Sequence, residues 1–145
     1  MEASTSTRCL CIEVRTAAQK LTRLYDDALT DAGITVTQLS QLNTIRTLDA
    51  PTVKRLAEAT QLDRSTLGRN LKLMERQGLV SMAPGADART RVVRLTPRGT
   101  EALKRGGPEW YKVQSRLLEK LGPEKRTLLQ QLLNELTSTE ALTHD

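Results

Sequence analysis

The sequence predicts a mainly α-helical fold carrying one small β-hairpin (α+β). Three observations lead there. Apolar residues recur at three- and four-residue steps through most of the 145 residues. Two short runs, Leu79–Met82 and Arg91–Leu95, flank a turn-rich tip, Pro84-Gly85-Ala86-Asp87-Ala88. With no Phe, one Trp and two Tyr, the core has to be built from Leu, Val, Ile and Ala, which suits packed helices better than a large sheet. The length fits one domain, 1–145.

The elements follow in order. Leu10, Val14, Ala17, Leu21, Leu24 and Ala28 place a long first helix at about 9–31, stopped by Gly33. Thr37 is the expected N-cap of a second helix, with Leu39, Leu42 and Ile45 on its apolar stripe to about Arg46. Asp49-Ala50-Pro51 is a turn, and Thr52 caps a third helix at about 53–60 with Val53, Leu56 and Ala57 inward. Gln61-Leu62 makes a tight corner. Asp63 caps a fourth helix, about 64–77, with Leu67, Leu71 and Met74 on one face and Gly78 at its end. After the hairpin, Thr96 caps a helix with Pro97 at its first position, where a missing N–H is harmless. Proline inside a helix removes a hydrogen bond, so Gly106-Gly107-Pro108 predicts a kink or break. Gly122-Pro123 then separates Trp110–Leu121 from a last helix at about 124–142.

The positive charge is concentrated. Residues 51–106 hold twelve Lys or Arg against five Asp or Glu, whereas the rest of the chain holds ten against twelve. That middle segment is a candidate footprint for a polyanion. No apolar run approaches the roughly 18 residues of a membrane span, and the N-terminus lacks a signal-peptide apolar stretch. The sequence therefore predicts a soluble, cytoplasmic protein with no membrane partner. It also argues against an enzyme. The one histidine, His144, is terminal, and neither a Ser–His–Asp or Cys–His set nor a glycine-rich phosphate loop is present. Cys9 and Cys11 fit no zinc spacing and no disulfide scaffold, so no metal and no cofactor is expected.

Two short helices, a tight corner, a capped helix and a basic hairpin make a winged helix-turn-helix pattern. In such a motif the second helix lies in the major groove of double-stranded DNA, braced by the first. Its outward residues here are Arg64, Ser65, Thr66, Gly68, Arg69 and Lys72. The planar fork of Arg69 suits the two acceptors of a guanine edge. Arg64, Ser65, Thr66 and Lys72 suit phosphates, and Gly68 permits close approach. A non-specific architectural DNA binder is a competing reading, but the side chains on 64–72 suit base readout.

LAEATQLDRSTLGRNLKLMERQGLV at 56–80 and DARTRVVRLTPRG at 87–99 resemble the multiple antibiotic resistance regulator (MarR) family, a likeness running over nearly the whole chain. Asp87-x-Arg89, followed by Leu95-Thr96-x-x-Gly99, is its most specific part. The resemblance implies that Arg89 enters the minor groove and that Asp87 orients the wing arginines, Arg91 among them. A narrow minor groove favours such a guanidinium electrostatically. It implies a winged helix-turn-helix lobe at 37–99 and dimerisation helices at 8–32 and 109–143. The stripe Leu128, Leu129, Leu132, Leu133 and Leu136 independently argues for a homodimer, since it carries more apolar surface than one small lobe covers. Gln61 stands where such corners usually hold Gly, and a positive φ there costs ~1 kcal/mol. Asn70 occupies a commonly apolar position, so contact with DNA or with the adjacent helix is expected of it.

The resulting expectation is a homodimeric regulator, a repressor of palindromic operator DNA released by an effector. The alternative is an oxidant-sensing regulator of the same family, part of a stress response, switched through Cys9 and Cys11. Both thiols lie near a helix N-terminus beside Arg8 and Arg15, which favours the thiolate. Two residues apart on a helix they point to opposite sides, so a sulfenic acid or a bond to the other subunit is the expected product. The opposing reading makes one cysteine a small apolar residue at the dimer interface. Members of the family often bind small aromatic or anionic ligands between lobes. Tyr25, Trp110 and Tyr111, with Arg15 or Arg46 as anion partner, are the candidate effector pocket, and Trp110 as plain core packing is the alternative.

Overall fold

Every helix in the middle of the chain begins on a side-chain cap, and these caps fix the element order. In the computed structural model, which describes residues 8–138, α1 (Leu10–Ala28) leads through a 3₁₀ turn (Thr30–Ala32) to α2 (Val36–Leu48), α3 (Val53–Thr60) and α4 (Arg64–Arg76). Strands β1 (Val80–Pro84) and β2 (Arg91–Leu95) precede α5 (Pro97–Thr137). The N-cap of α2 is Thr35, two residues before the expected Thr37. Its hydroxyl accepts from Gln38 N at 3.2 Å while Gln38 Oε1 accepts from Thr35 N at 3.1 Å. This reciprocal box satisfies two free donors where a lone Thr37 would satisfy one. Thr52 accepts from Arg55 N at 3.1 Å, Asp63 from Thr66 N at 2.8 Å and Thr96 from Gly99 N at 3.0 Å, all as the sequence predicts.

The stops are mostly backbone turns with positive φ. Gly33 (72°) and Gly78 (75°) use the freedom of glycine, while Asp49 (53°), Ala50 (56°) and Gln61 (57°) adopt the left-handed region despite their side chains. The corner between α3 and α4 therefore keeps the conformation expected of it, with glutamine in place of glycine.

The break expected at Gly106-Gly107-Pro108 does not occur. The helix runs through all three residues, and the non-helical residue within α5 is Gly122, at φ 76° and ψ 165°. Packing explains the first glycine. A Cβ on Gly106 would lie 3.0 Å from Leu39 Cδ1, 3.2 Å from Leu29 Cδ2 and 3.3 Å from Ile34 Cδ1. Gly106 thus marks close contact of α5 with the core, and the lost hydrogen bond at Pro108 is tolerated because Pro108 and Lys104, one turn before it, are both exposed. The described part of the last helix ends at Thr137; its expected continuation to 142, and His144, lie outside the described residues.

Strands β1 and β2 pair antiparallel from Val80 opposite Leu95 to Pro84 opposite Arg91. Thr52 bridges to Val92, and Val93 N donates to Pro51 O at 2.9 Å, tying the hairpin to the start of α3. Beneath them Leu29, Leu42, Ile45, Leu56, Leu67, Leu71, Met74, Val80 and Val93 form a sealed core. The chain divides into two compact units, one ending at Trp110 and one beginning at Tyr111. Within the first, α1 buries no residue at all. Within the second, Leu128, Leu129, Leu132, Leu133 and Leu136 are exposed. No helix among the described residues is long and apolar enough to cross a membrane.

Candidate nucleic-acid interface

Helix α4 is built to hold one face down and offer the other. Leu67, Leu71 and Met74, spaced i, i+4, i+7, are 0–1% exposed and pin the helix to the core. Arg64, Ser65, Arg69 and Lys72 are exposed on the opposite side, with Thr66 and Gly68 half-buried between. Asn70 is also half-buried. A Cβ on Gly68 would meet nothing within 4 Å, so the glycine leaves open space rather than relieving a clash inside the chain.

The first turn of α4 has a feature that the sequence does not reveal. Asp63 Oδ1 accepts from Thr66 N at 2.8 Å and from Ser65 Oγ at 2.7 Å, while Oδ2 accepts from Thr66 Oγ1 at 2.9 Å. These contacts lower the Asp63 pKa from 3.8 to about 2, the Thr66 N–H first and the Ser65 and Thr66 hydroxyls next. Thr66 Oγ1 in turn accepts from the Arg69 guanidinium at 3.4 Å. Both hydroxyl protons are thus committed to Asp63. To donate to a phosphate, as expected of them, Ser65 and Thr66 would have to leave their cap. In the arrangement seen they offer lone pairs.

At the wing, Asp87 Oδ1 accepts from the backbone N of Arg89 at 3.1 Å, and Thr90 N and Oγ1 donate to Asp87 O at 2.9 and 2.8 Å. Asp87 therefore shapes the tip through backbone, and its carboxylate makes no ion pair with Arg89 or Arg91 among the described residues. Both arginines are exposed. The wing base is fastened to the end of α4: Thr96 Oγ1 donates to Gly78 O at 2.5 Å, and Thr96 N to Leu79 O at 3.1 Å. Gly99 seats against the same stretch, where a Cβ would run into the Leu79 carbonyl oxygen.

The remaining candidates divide. Arg46 and Trp110 share a cleft of about 350 Å³ with Leu39, Asn43, Leu103 and Gly107. The Arg46 guanidinium donates to Asn43 Oδ1 at 2.6 Å, and Trp110 also packs against the core, as its alternative reading expects. Arg15 and Tyr25 do not line this cleft. Tyr25 is partly buried, and burial pushes its phenol pKa up. Tyr111 belongs to the second unit and is exposed. Cys9 and Cys11 are both free and exposed. Cys9 has extended backbone (φ −60°, ψ 118°) and precedes α1 as its N-cap. Cys11 alone lies within α1, so the two thiols are not set on opposite sides of one helix.

A helix-turn-helix whose second helix is uncovered and basic, with an arginine-bearing hairpin tied to its end, defines a winged-helix DNA-binding transcription regulator. Comparison with known proteins agrees. The sequence profile of the MarR family matches residues 32–90. The M. tuberculosis transcriptional regulator MosR, in a crystal structure with DNA, is 36% identical with a TM-score of 0.79, covering 92% of this chain and 99% of MosR. A second MosR structure gives 34% identity and a TM-score of 0.76, over 92% and 97% of the two chains. A cysteine-to-serine mutant of E. coli MarR, complexed with operator DNA, shares the fold at 23% identity and a TM-score of 0.80, over 94% of this chain and 99% of that one. No curated protein sequence matches the chain. The chain belongs to the MarR family of DNA-binding transcription regulators.

Proposed function

We propose that the protein is a homodimeric repressor that binds palindromic operator DNA sequence-specifically and is released by an effector. One observation carries the reading: α4 buries a single apolar face and leaves Arg64, Arg69 and Lys72 uncovered, capped by Asp63 and flanked by the Arg89 hairpin. Arg69 reads a base, Arg64 and Lys72 hold phosphates, and Arg89 enters the minor groove beside Arg91. The MosR relative crystallised with DNA supports this use of the fold. The exposed leucines of α1 and of residues 128–136 supply self-complementary apolar surface for a two-fold partner. The cleft with Arg46 and Trp110 suits an aromatic anion as effector, since it pairs a cation with an apolar wall.

The experiment is selection of bound DNA from a random pool, followed by titration of the selected duplex. Arg69→Ala relaxes base preference at one position per half-site and weakens binding by roughly 1–3 kcal/mol. Arg89→Ala weakens binding evenly across sequences; unchanged operator affinity in that variant would overturn the wing assignment. A second reading, oxidant sensing, is favoured by the exposure of both thiols at the start of α1. Peroxide then releases the operator from the parent chain and not from the Cys9→Ser, Cys11→Ser double variant.

A further inference from the structure

Two buried glutamines lie one turn apart on α2, and they are treated differently. Gln38 is 8% exposed and fully engaged, its Oε1 accepting from Thr35 N and its Nε2 donating to Gln77 Oε1 at 2.8 Å. Gln41 is 3% exposed, and neither its Oε1 nor its Nε2 has a hydrogen-bond partner among the described residues. A buried amide without partners is costly, and native proteins rarely keep one without a use for it.

Gln41 lines a cleft of about 450 Å³ between α2 and α3. Thr37, Ser40, Thr44 and Thr60 line it too, with Val36, Ala59 and Leu62 as apolar wall. Thr44 and Thr60 donate to the carbonyls of Ser40 and Leu56, so their lone pairs remain available. The side-chain hydroxyls of Thr37 and Ser40 make no hydrogen bond among the described residues. None of the eight lining residues is charged. This cleft adjoins the one that holds Arg46 and Trp110, sharing Val36 and Ser40 with it, but its other lining residues are its own.

We propose that the α2–α3 cleft is a second small-molecule site, which takes a neutral ligand carrying a primary carboxamide on an apolar body. A carboxamide matches Gln41 head to head, accepting from Nε2 and donating to Oε1. A carboxylate offers no proton to Oε1, and no cation lines the cleft to offset its desolvation. The Gln41 amide lies beneath the cleft wall and reaches the ligand by side-chain rotation, during which it loses no hydrogen bond. Leu62 is the last residue before Asp63, the cap of α4, so occupancy bears directly on the corner that aims that helix.

The test is titration of the ¹⁵N-labelled full chain with benzamide and, separately, its charged isostere benzoate, followed by NMR. Benzamide gives saturable shifts at the Gln41 side-chain NH₂ and at the backbone amides of Thr37, Thr44, Thr60 and Leu62. Benzoate at that cleft, and benzamide on Gln41→Met, bind roughly tenfold more weakly, the loss of about one hydrogen bond. Ala59→Trp fills the cleft from exposed α3 and abolishes the benzamide shifts, which keeps the test decisive if Gln41→Met fails to fold. Benzamide shifts that are absent, that centre on Trp110, that saturate at an unchanged concentration in Gln41→Met, or that persist in Ala59→Trp overturn the proposal. So does benzoate binding as tightly as benzamide at this cleft.

Discussion

The inward leucines of α2–α4 and those of α1 and residues 128–136 follow the same helical spacing, yet their surroundings are opposite. Leu42, Leu56, Leu67 and Leu71 are 0–1% exposed. Leu10, Leu21 and Leu24 of α1 are 44–61% exposed, and the five leucines at 128–136 are 42–52% exposed. Periodicity therefore reports that a helix has an apolar face, not what covers it. In the winged-helix core the covering partner is within the chain. On α1 and at 128–136 a large part of the face stays accessible, more than a solvated surface needs and of the kind that a second copy buries.

That contrast can be broken in order of size. Gly99→Val sets a branched side chain against the Leu79 carbonyl, a backbone atom with no room to yield, and should prevent stable folding as read by circular dichroism. Leu71→Ala removes a sealed core side chain and should cost about 2–5 kcal/mol in chemical denaturation. A Leu132→Asp, Leu136→Asp variant should leave the winged-helix core folded while light scattering shows half the parent mass; an unchanged mass would remove the second copy as the covering partner. Gly106→Ala and Gly107→Ala form a matched pair. The first crowds Leu29, Ile34 and Leu39 and should cost about 1–3 kcal/mol. The second meets nothing within 4 Å and should gain up to ~1 kcal/mol from helix propensity.

The smallest effect concerns the α4 cap. Asp63 has a folded pKa of about 2, below its ordinary 3.8. Its contribution to stability is thus present in full above pH 4 and is lost as pH falls through the folded value. Asp63→Ala should lower stability at pH 7 and flatten the acid limb of the stability profile between about pH 4 and 2; an unaltered limb would show that the cap contributes nothing.

Most of the architecture was legible because the signals were local. Thr52, Asp63 and Thr96 cap the helices they precede, Gln61 takes the positive φ its corner requires, and the hairpin lies where the β-branched runs put it. What escaped depended on distant partners. Gly106-Gly107-Pro108 reads as a breaker locally, and only the approach of Leu29, Ile34 and Leu39 shows that its first glycine serves packing. Local spacing puts the α2 cap at Thr37, and only Gln38 folding back on Thr35 shows that it lies two residues earlier. On the candidate interface, outward residues of α4 could be named from spacing, but the capture of the Ser65 and Thr66 protons by Asp63 could not. Gln41 carried no signal at all, since an unsatisfied amide is a property of its neighbours.

The hairpin stem is lashed at two points, by Val93 to Pro51 and by Thr96 to Gly78 and Leu79. The stem is thereby held against the start of α3 and the end of α4. On the reading proposed for the wing, the gap between Arg69 and Arg91, the last paired residue of the stem, is then a property of the protein. A duplex whose grooves are spaced otherwise would have to be deformed to fit, so its stiffness would be measured along with its letters.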